Sequence, residues 1–250
     1  TGGHVRVHAL LPARTEFGEI GRWLAQQATK NGASIHTGEE VREDNLEAIL
    51  ARYQPDHVVV ATGSKGAVDG FQGWTARGLP GWETGNCLTW EEVMINRDKS
   101  PPRSFPGHAV LIDDLGDVAG PLTAVALAEA GSTSVTLVTR WPMVGMETLL
   151  DVYFEWIMPR VYKAGVRILA DHFVKKIDGE SIQLYNVHHE AAELTLPADW
   201  IVMATGRRSE NSLFPLLQAR GISTQMIGDA TAPRYTYEAV YEGHRAARKL

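Results

Sequence analysis

The strongest constraint on this chain is that it writes one folding plan twice. The second copy leads from Ala130-Gly131 into Val135-Thr136-Leu137-Val138-Thr139, then Ala164-Gly165-Val166-Arg167-Ile168, and ends at Ile201-Val202-Met203-Ala204-Thr205-Gly206. The first leads from Gly2-Gly3 into Val5-Arg6-Val7-His8, then Asn31-Gly32-Ala33-Ser34-Ile35, and ends at Val58-Val59-Val60-Ala61-Thr62-Gly63. Short apolar strands separated by helices predict parallel sheets covered on both faces. A strand, a loop and a helix at residues 109–130 precede the second copy, whereas the first opens directly at Thr1. The expectation is two α/β lobes, the first without its N-terminal strand–loop–helix.

Bulk properties remove several function classes. The chain has 250 residues, 44% of them hydrophobic and 22% charged. That is the balance of an ordinary globular protein, and units of roughly 100 residues suit two lobes. A net charge of −6 gives no general attraction to nucleic acid or to an anionic membrane surface. Cys87 stands alone, so no intrachain disulfide, Cys-x-x-Cys redox pair or thiolate cluster can form. No apolar run approaches the ~18 residues of a membrane span, and no basic-then-apolar leader opens the chain. A reducing, cytoplasmic setting is expected.

Periodicity places the elements. Phe17, Ile20, Trp23, Leu24 and Ala28 have helical spacing, and Asn31-Gly32 supplies a C-terminal cap. Residues 45–53 form a shorter amphipathic helix, and Pro55-Asp56 turns the chain into a strand at 58–61. Residues 63–106, rich in Gly, Pro and Trp, read as a crossover linker with one helix near 90–95. Trp74, Trp82 and Trp90 are expected to pin it to the lobes. Val110-Leu111-Ile112 opens the second lobe, followed by the loop Asp113-Asp114-Leu115-Gly116-Asp117-Val118-Ala119-Gly120 and a helix with Pro121 in its first turn. Residues 147–162 are expected to be helical. Alternation over 174–196 around Asp178-Gly179 and Asn186 predicts an antiparallel meander. A last strand at 222–229 and a terminal helix at 237–249 complete the pattern.

The ordered motifs Ala61-Thr62-Gly63, Ala204-Thr205-Gly206 and Ile227-Gly228-Asp229-Ala230 resemble those of the two-dinucleotide-domain flavoproteins of the glutathione-reductase type. The Asp113-Asp114 loop start, the run from Val135 to Arg140, and Gly228-Asp229-Ala230-Thr231-Ala232-Pro233-Arg234 with Glu242-Gly243-His244-Arg245 narrow the likeness. They resemble the C-terminal half of the trimethylamine, dimethylamine and histamine dehydrogenases and of the related dienoyl-CoA reductases. The resemblance implies two Rossmann-like lobes, an FAD/ADP-type lobe of residues 1–104 plus 213–250 and an NAD(P)-type lobe of 105–212 inserted in it. It further implies an N-terminal barrel with FMN and a four-iron four-sulfur cluster, as a domain or partner subunit, where substrate is oxidised or reduced. An electron acceptor and a homo-oligomer are further partners it allows.

On the adenylate side the residues implied are Thr62, Gly63, Gly228 and Asp229. A small-residue turn after a buried strand lets backbone pass close to a neighbour or a nucleotide, and the alternatives are a tight strand exit and, for Asp229, a helix cap. On the nicotinamide side Gly116, Gly120, Thr205 and Gly206 occupy the matching positions. There Asp113, Asp114 and Asp117 put carboxylates where a pyrophosphate would sit, and like charges repel, so a packing role for Gly116 and Gly120 competes and NAD(P)H binding is not expected. The Gly-x-Gly-x-x-Gly segment of a dinucleotide fold has no counterpart in the first lobe. The ribose-binding acid aligns with Ala9, and the usual Gly-Gly pair with Gly18-Glu19. Any FAD or ADP binding is therefore expected to be weak. His188-His189 lack further ligands at metal spacing, and Arg245, Arg248 and Lys249 read either as a docking patch or as a solvated helix end. No residue is a candidate for catalysis. The functions that follow are the nucleotide-binding-type module of a flavin-dependent amine oxidoreductase, a module of an NAD(P)H-oxidising enoate reductase, or a structural docking module.

Overall fold

The computed structural model describes residues 1–72 and 74–250. In chain order the elements are α1 (Gly3–His8), α2 (Glu19–Lys30), α3 (Leu46–Tyr53), β1 (Val58–Val60), β2 (Ser64–Gly66), β3 (Cys87–Thr89), α4 (Trp90–Arg97), β4 (His108–Asp113) and α5 (Ala119–Glu129). There follow β5 (Ser134–Thr139), α6 (Phe154–Lys163), β6 (Arg167–Leu169), β7 (His172–Asp178), β8 (Ser181–Asn186) and β9 (His189–Pro197). The chain ends with β10 (Trp200–Ala204), β11 (Arg207–Ser209), α7 (Leu213–Ala219), β12 (Thr224–Met226) and α8 (Thr236–Ala247). Two compact units result. One comprises residues 1–6, 18–65 and 208–250, the other 7–17 and 66–207.

The larger unit is built on a parallel sheet in the order β3-β10-β4-β5-β6. Alternation along β4 decides what covers each face. Ala109 and Leu111 point into a core formed with α4, α5 and α6, where Trp90, Val93, Leu122 and Ile157 are buried. Val110 and Ile112 point the other way, onto Phe173, Ile177, Ile182 and Leu184 of the antiparallel meander β7-β8-β9. One face is thus roofed by helices and the other by strands. Helix α4 starts with a capping box: Glu92 N donates to Thr89 Oγ1 (3.2 Å), and Thr89 N donates to Glu92 Oε2 (2.7 Å).

The smaller unit has a two-stranded parallel sheet in which Val58, Val59 and Val60 lie opposite Thr224, Gln225 and Met226. Leu46, Val60, Leu217 and Ala230 are its buried centre. Among the described residues no third strand joins this sheet.

Several expectations change. Val5-Arg6-Val7-His8 belongs to a helix, not a strand. Its apolar spacing continues as Val7, Leu10 and Leu11, an i, i+3, i+4 pattern that packs on the larger unit's core. Ala9 therefore closes no second strand, and the alignment that put the ribose acid there and the Gly-Gly pair at Gly18-Glu19 falls with it. Ala33-Ser34-Ile35 forms no strand, and Ile35 is exposed. The helix expected over 147–162 is broken into a 3-10 turn at Met146–Leu149 and α6, with Val152 left-handed between them (φ 62°). The presumed linker is part of the larger unit, because β3 pairs with β10 and α4 is buried in the helical core. The compact units change over at 6/7, 17/18, 65/66 and 207/208, whereas the sequence expectation places the lobe boundaries at 104/105 and 212/213.

Leu111 is wholly buried in the central strand. Leu111→Ala is expected to destabilise the fold by about 3 kcal/mol, read as a lowered urea midpoint with an unchanged slope.

Candidate nucleotide-binding sites

Open parallel sheets receive ligands outside the carboxyl ends of their strands, and each unit has such an edge. In the smaller unit, the register of β1 on β12 and the bond from Ile227 N to Val60 O (3.0 Å) bring Thr62-Gly63 and Gly228-Asp229 to the same edge. All four residues implied by the resemblance on the adenylate side therefore converge. Gly63 and Gly228 both have left-handed backbone, φ 81° and 60°, which explains glycine at each.

The polar groups at this edge bind one another. Asp229 accepts from Ser64 Oγ at Oδ2 (2.7 Å) and from Arg234 N at Oδ1 (3.1 Å), while its carbonyl accepts from Ser209 Oγ (2.7 Å). The Gly228 amide, which would face an anion, donates to Glu242 Oε2 (2.6 Å). Glu242 Oε1 accepts from Arg234 Nη2 (2.6 Å). Arg234 and then the Gly228 amide hold the Glu242 carboxyl below the usual carboxylate range. The Thr62 hydroxyl donates to the carbonyl of Glu210, whose carboxylate meets Lys65 at 2.8 Å. Ser64, Ser209, Arg234 and Glu242 escaped assignment in the sequence because single hydroxyls and charges at these spacings match no phosphate motif.

In the larger unit, the loop after β4 carries three acids, and each has a distinct partner. Asp113 is fully buried, and its Oδ1 accepts the Gly116 amide (3.1 Å) while Oδ2 meets no donor among the described residues. A Cβ at Gly120 would lie 2.5 Å from the Asp113 carboxyl carbon. Gly120 thus makes room for that carboxyl. Asp117 Oδ1 accepts from Ala119 N (2.7 Å) at the start of α5. Asp114 is bonded to Arg140 at the end of β5, and burial pushes its carboxyl upward against the pull of that guanidinium. Arg140 stacks over the rings of Trp141 (3.9 Å to the centroid) and Trp74 (5.2 Å).

Gly116 is left-handed (φ 69°), and its carbonyl accepts from Glu147 N (2.9 Å). Thr205 is buried, with its hydroxyl unpartnered among the described residues. Gly206 N donates to Phe71 O (2.8 Å), and a Cβ at Gly206 would sit 2.6 Å from that oxygen. Carboxylates and carbonyls of the chain thus accept from the Gly116, Ala119 and Gly206 amides. The Cys87 thiol, pushed up to about 11 by burial and by Glu83, offers no nucleophile at neutral pH.

A sequence profile of the pyridine nucleotide-disulphide oxidoreductases matches residues 6–232. Dimethylamine dehydrogenase of Hyphomicrobium sp. (strain x) is 25% identical, covering 100% of this chain and 37% of that enzyme. Bilirubin reductase of Mediterraneibacter gnavus (strain CC55_001C) is 26% identical, covering 100% of this chain and 35% of that protein. Histamine dehydrogenase from Rhizobium sp. 4-9 superposes with a TM-score of 0.88 at 26% identity, over 99% of this chain and 38% of that one. The chain spans little more than a third of the length of these relatives.

Burial, and secondarily the nearby Asp117 carboxylate, pushes Asp113 from 3.8 to about 8. The folded protein thus keeps a proton that the unfolded chain has released, so stability falls as pH rises from about 4 to about 8 and levels off above. Asp113→Asn is expected to flatten that slope and raise the melting temperature at pH 8. Parallel melting curves for the two proteins between pH 5 and 8 would contradict this role.

Proposed function

The chain belongs to the pyridine nucleotide-disulphide oxidoreductase family, and on that premise we propose that it is the nucleotide-binding-type module of a flavin-dependent oxidoreductase acting on amines, by dehydrogenation or N-demethylation. The smaller unit is assigned to the FAD/ADP side and the larger to the NAD(P) side. Substrate chemistry is assigned to a separate barrel domain or subunit that supplies FMN and a four-iron four-sulfur cluster. Similarity over the full length of this chain to dimethylamine dehydrogenase and histamine dehydrogenase supports the assignment. A single cysteine leaves this chain no disulfide chemistry of its own.

The observation that carries the reading is the Asp113 carboxyl seated on the Gly116 amide, against Gly120. A module with its own carboxyl in the phosphate loop does not take reducing equivalents from NAD(P)H there. That favours substrate-derived electrons. On the adenylate side Thr62, Gly63, Gly228 and Asp229 are assigned to the rim of an ADP or FAD site. Because Glu242 holds the Gly228 amide and Asp229 is bonded through both oxygens, they supply no open amide cradle, and binding by this chain is weak.

One observation favours a reductase reading. Arg140 stands at the end of β5, where a basic residue can receive the 2′-phosphate of NADPH. Its bond to Asp114 and its stacking on Trp141 set that reading second.

Calorimetric titration separates the two. NADPH is expected to show no saturable site at submillimolar concentration, and ADP to bind only in the millimolar range. Stoichiometric, tight NADPH binding would establish the reductase reading instead. The 250-residue chain is expected to be colourless and silent in amine-dependent dye reduction, whereas the complete reading frame that encodes it is expected to be coloured and active. Amine turnover by this chain alone would refute the assignment.

A further inference from the structure

A cavity of about 540 Å³ in the larger unit is lined by Arg14, Glu16, Asp151, Tyr153 and Trp156 among others. None of these residues takes part in the nucleotide sites. Arg14 is only 6% exposed. Its guanidinium lies over the rings of Phe17 (4.7 Å) and Tyr153 (5.1 Å). Its Nε donor is buried without an acceptor, and no carboxylate pairs with it among the described residues. Ring stacking attracts a desolvated cation but accepts no in-plane hydrogen bond. A buried guanidinium left in that condition is complementary to a planar, bidentate carboxylate.

The acids on the cavity wall narrow the ligand. Glu16 and Asp151 are exposed and lie on the same lining, yet neither forms an ion pair with Arg14. A dianion or a phosphate would gain one cation and face two carboxylates. A molecule with a carboxylate at one end and an ammonium at the other suits both groups. The backbone points to the same place: Ala13 and Val152, both on the lining, adopt left-handed conformations (φ 56° and 62°). Such backbone is costly for a β-branched residue. Val152 is 73% exposed, so burial of its side chain does not offset the strain.

We propose that this cavity binds a small zwitterion of amino-acid or betaine type, its carboxylate received by Arg14 and its ammonium end directed to Glu16 and Asp151 beside the Tyr153 and Trp156 rings. The test is calorimetric titration of the chain with glycine betaine, acetate and tetramethylammonium, with the Arg Nε–Hε resonances followed by NMR. Betaine is expected to saturate, to bind about tenfold more tightly than either half-molecule, and to shift the resonance that is lost in R14Q. R14Q is expected to abolish betaine binding while keeping a cooperative melt. Should R14Q fail to fold, the exposed pair E16Q/D151N decides: it is expected to weaken betaine severalfold and to leave acetate unchanged or tighter. Betaine binding no tighter than acetate, unaltered betaine affinity in E16Q/D151N, or no saturation by any of the three probes would overturn the proposal.

Discussion

One buried carboxyl governs the character of the larger unit. Asp113 ends the central strand β4 at the position from which a phosphate loop departs, and it has no exposure to water. Its protonated state answers the cost of burying a charge, its Oδ1 takes the Gly116 amide, and its bulk requires glycine at 120. The loop around it is consistent with that choice. Asp117 turns to the α5 amide and Asp114 to Arg140, so three acids share a small volume without facing one another as three unpaired anions.

The two strand edges show related solutions. In the smaller unit Glu242 occupies the Gly228 amide, and Arg234 neutralises it. In the larger unit Asp113 occupies the Gly116 amide and is neutral through protonation. At each strand edge a carboxyl thus accepts from a glycine amide.

Much of the architecture was legible in the sequence, and the exceptions have physical causes. The apolar strands of the second copy and Val58–Val60, the meander around Asp178-Gly179, and α2, α3, α4 and α8 were readable because each has a clear period and end signals, whereas Ala33-Ser34-Ile35 forms no strand. Val5-Arg6-Val7-His8 misled because a four-residue alternation cannot be told from a helical start until Leu10 and Leu11 are included. The linker misled for another reason: Gly- and Pro-rich composition says nothing of whether Cys87-Leu88-Thr89 finds a strand to pair with. Residues joined by tertiary contacts alone, such as Glu242 with Gly228 and Arg14 with Tyr153, leave no local pattern. The three acids of the β4 loop were visible, but not that each would have its own partner.

The pairing of Val58–Val60 with Thr224–Met226 also orders events in time. A ribosome makes the chain from its N-terminus, so β1 emerges more than 150 residues before its partner. All five parallel strands of the larger unit, β3 to β10, are made within that interval. Its sheet can assemble while the smaller unit still consists of loose helices and one unpaired strand. The smaller unit is closed by a contact of very long sequence separation, the slow kind in folding, and until then the chain displays Val58-Val59-Val60 as an open apolar edge of the sort that chaperones and neighbouring strands recognise.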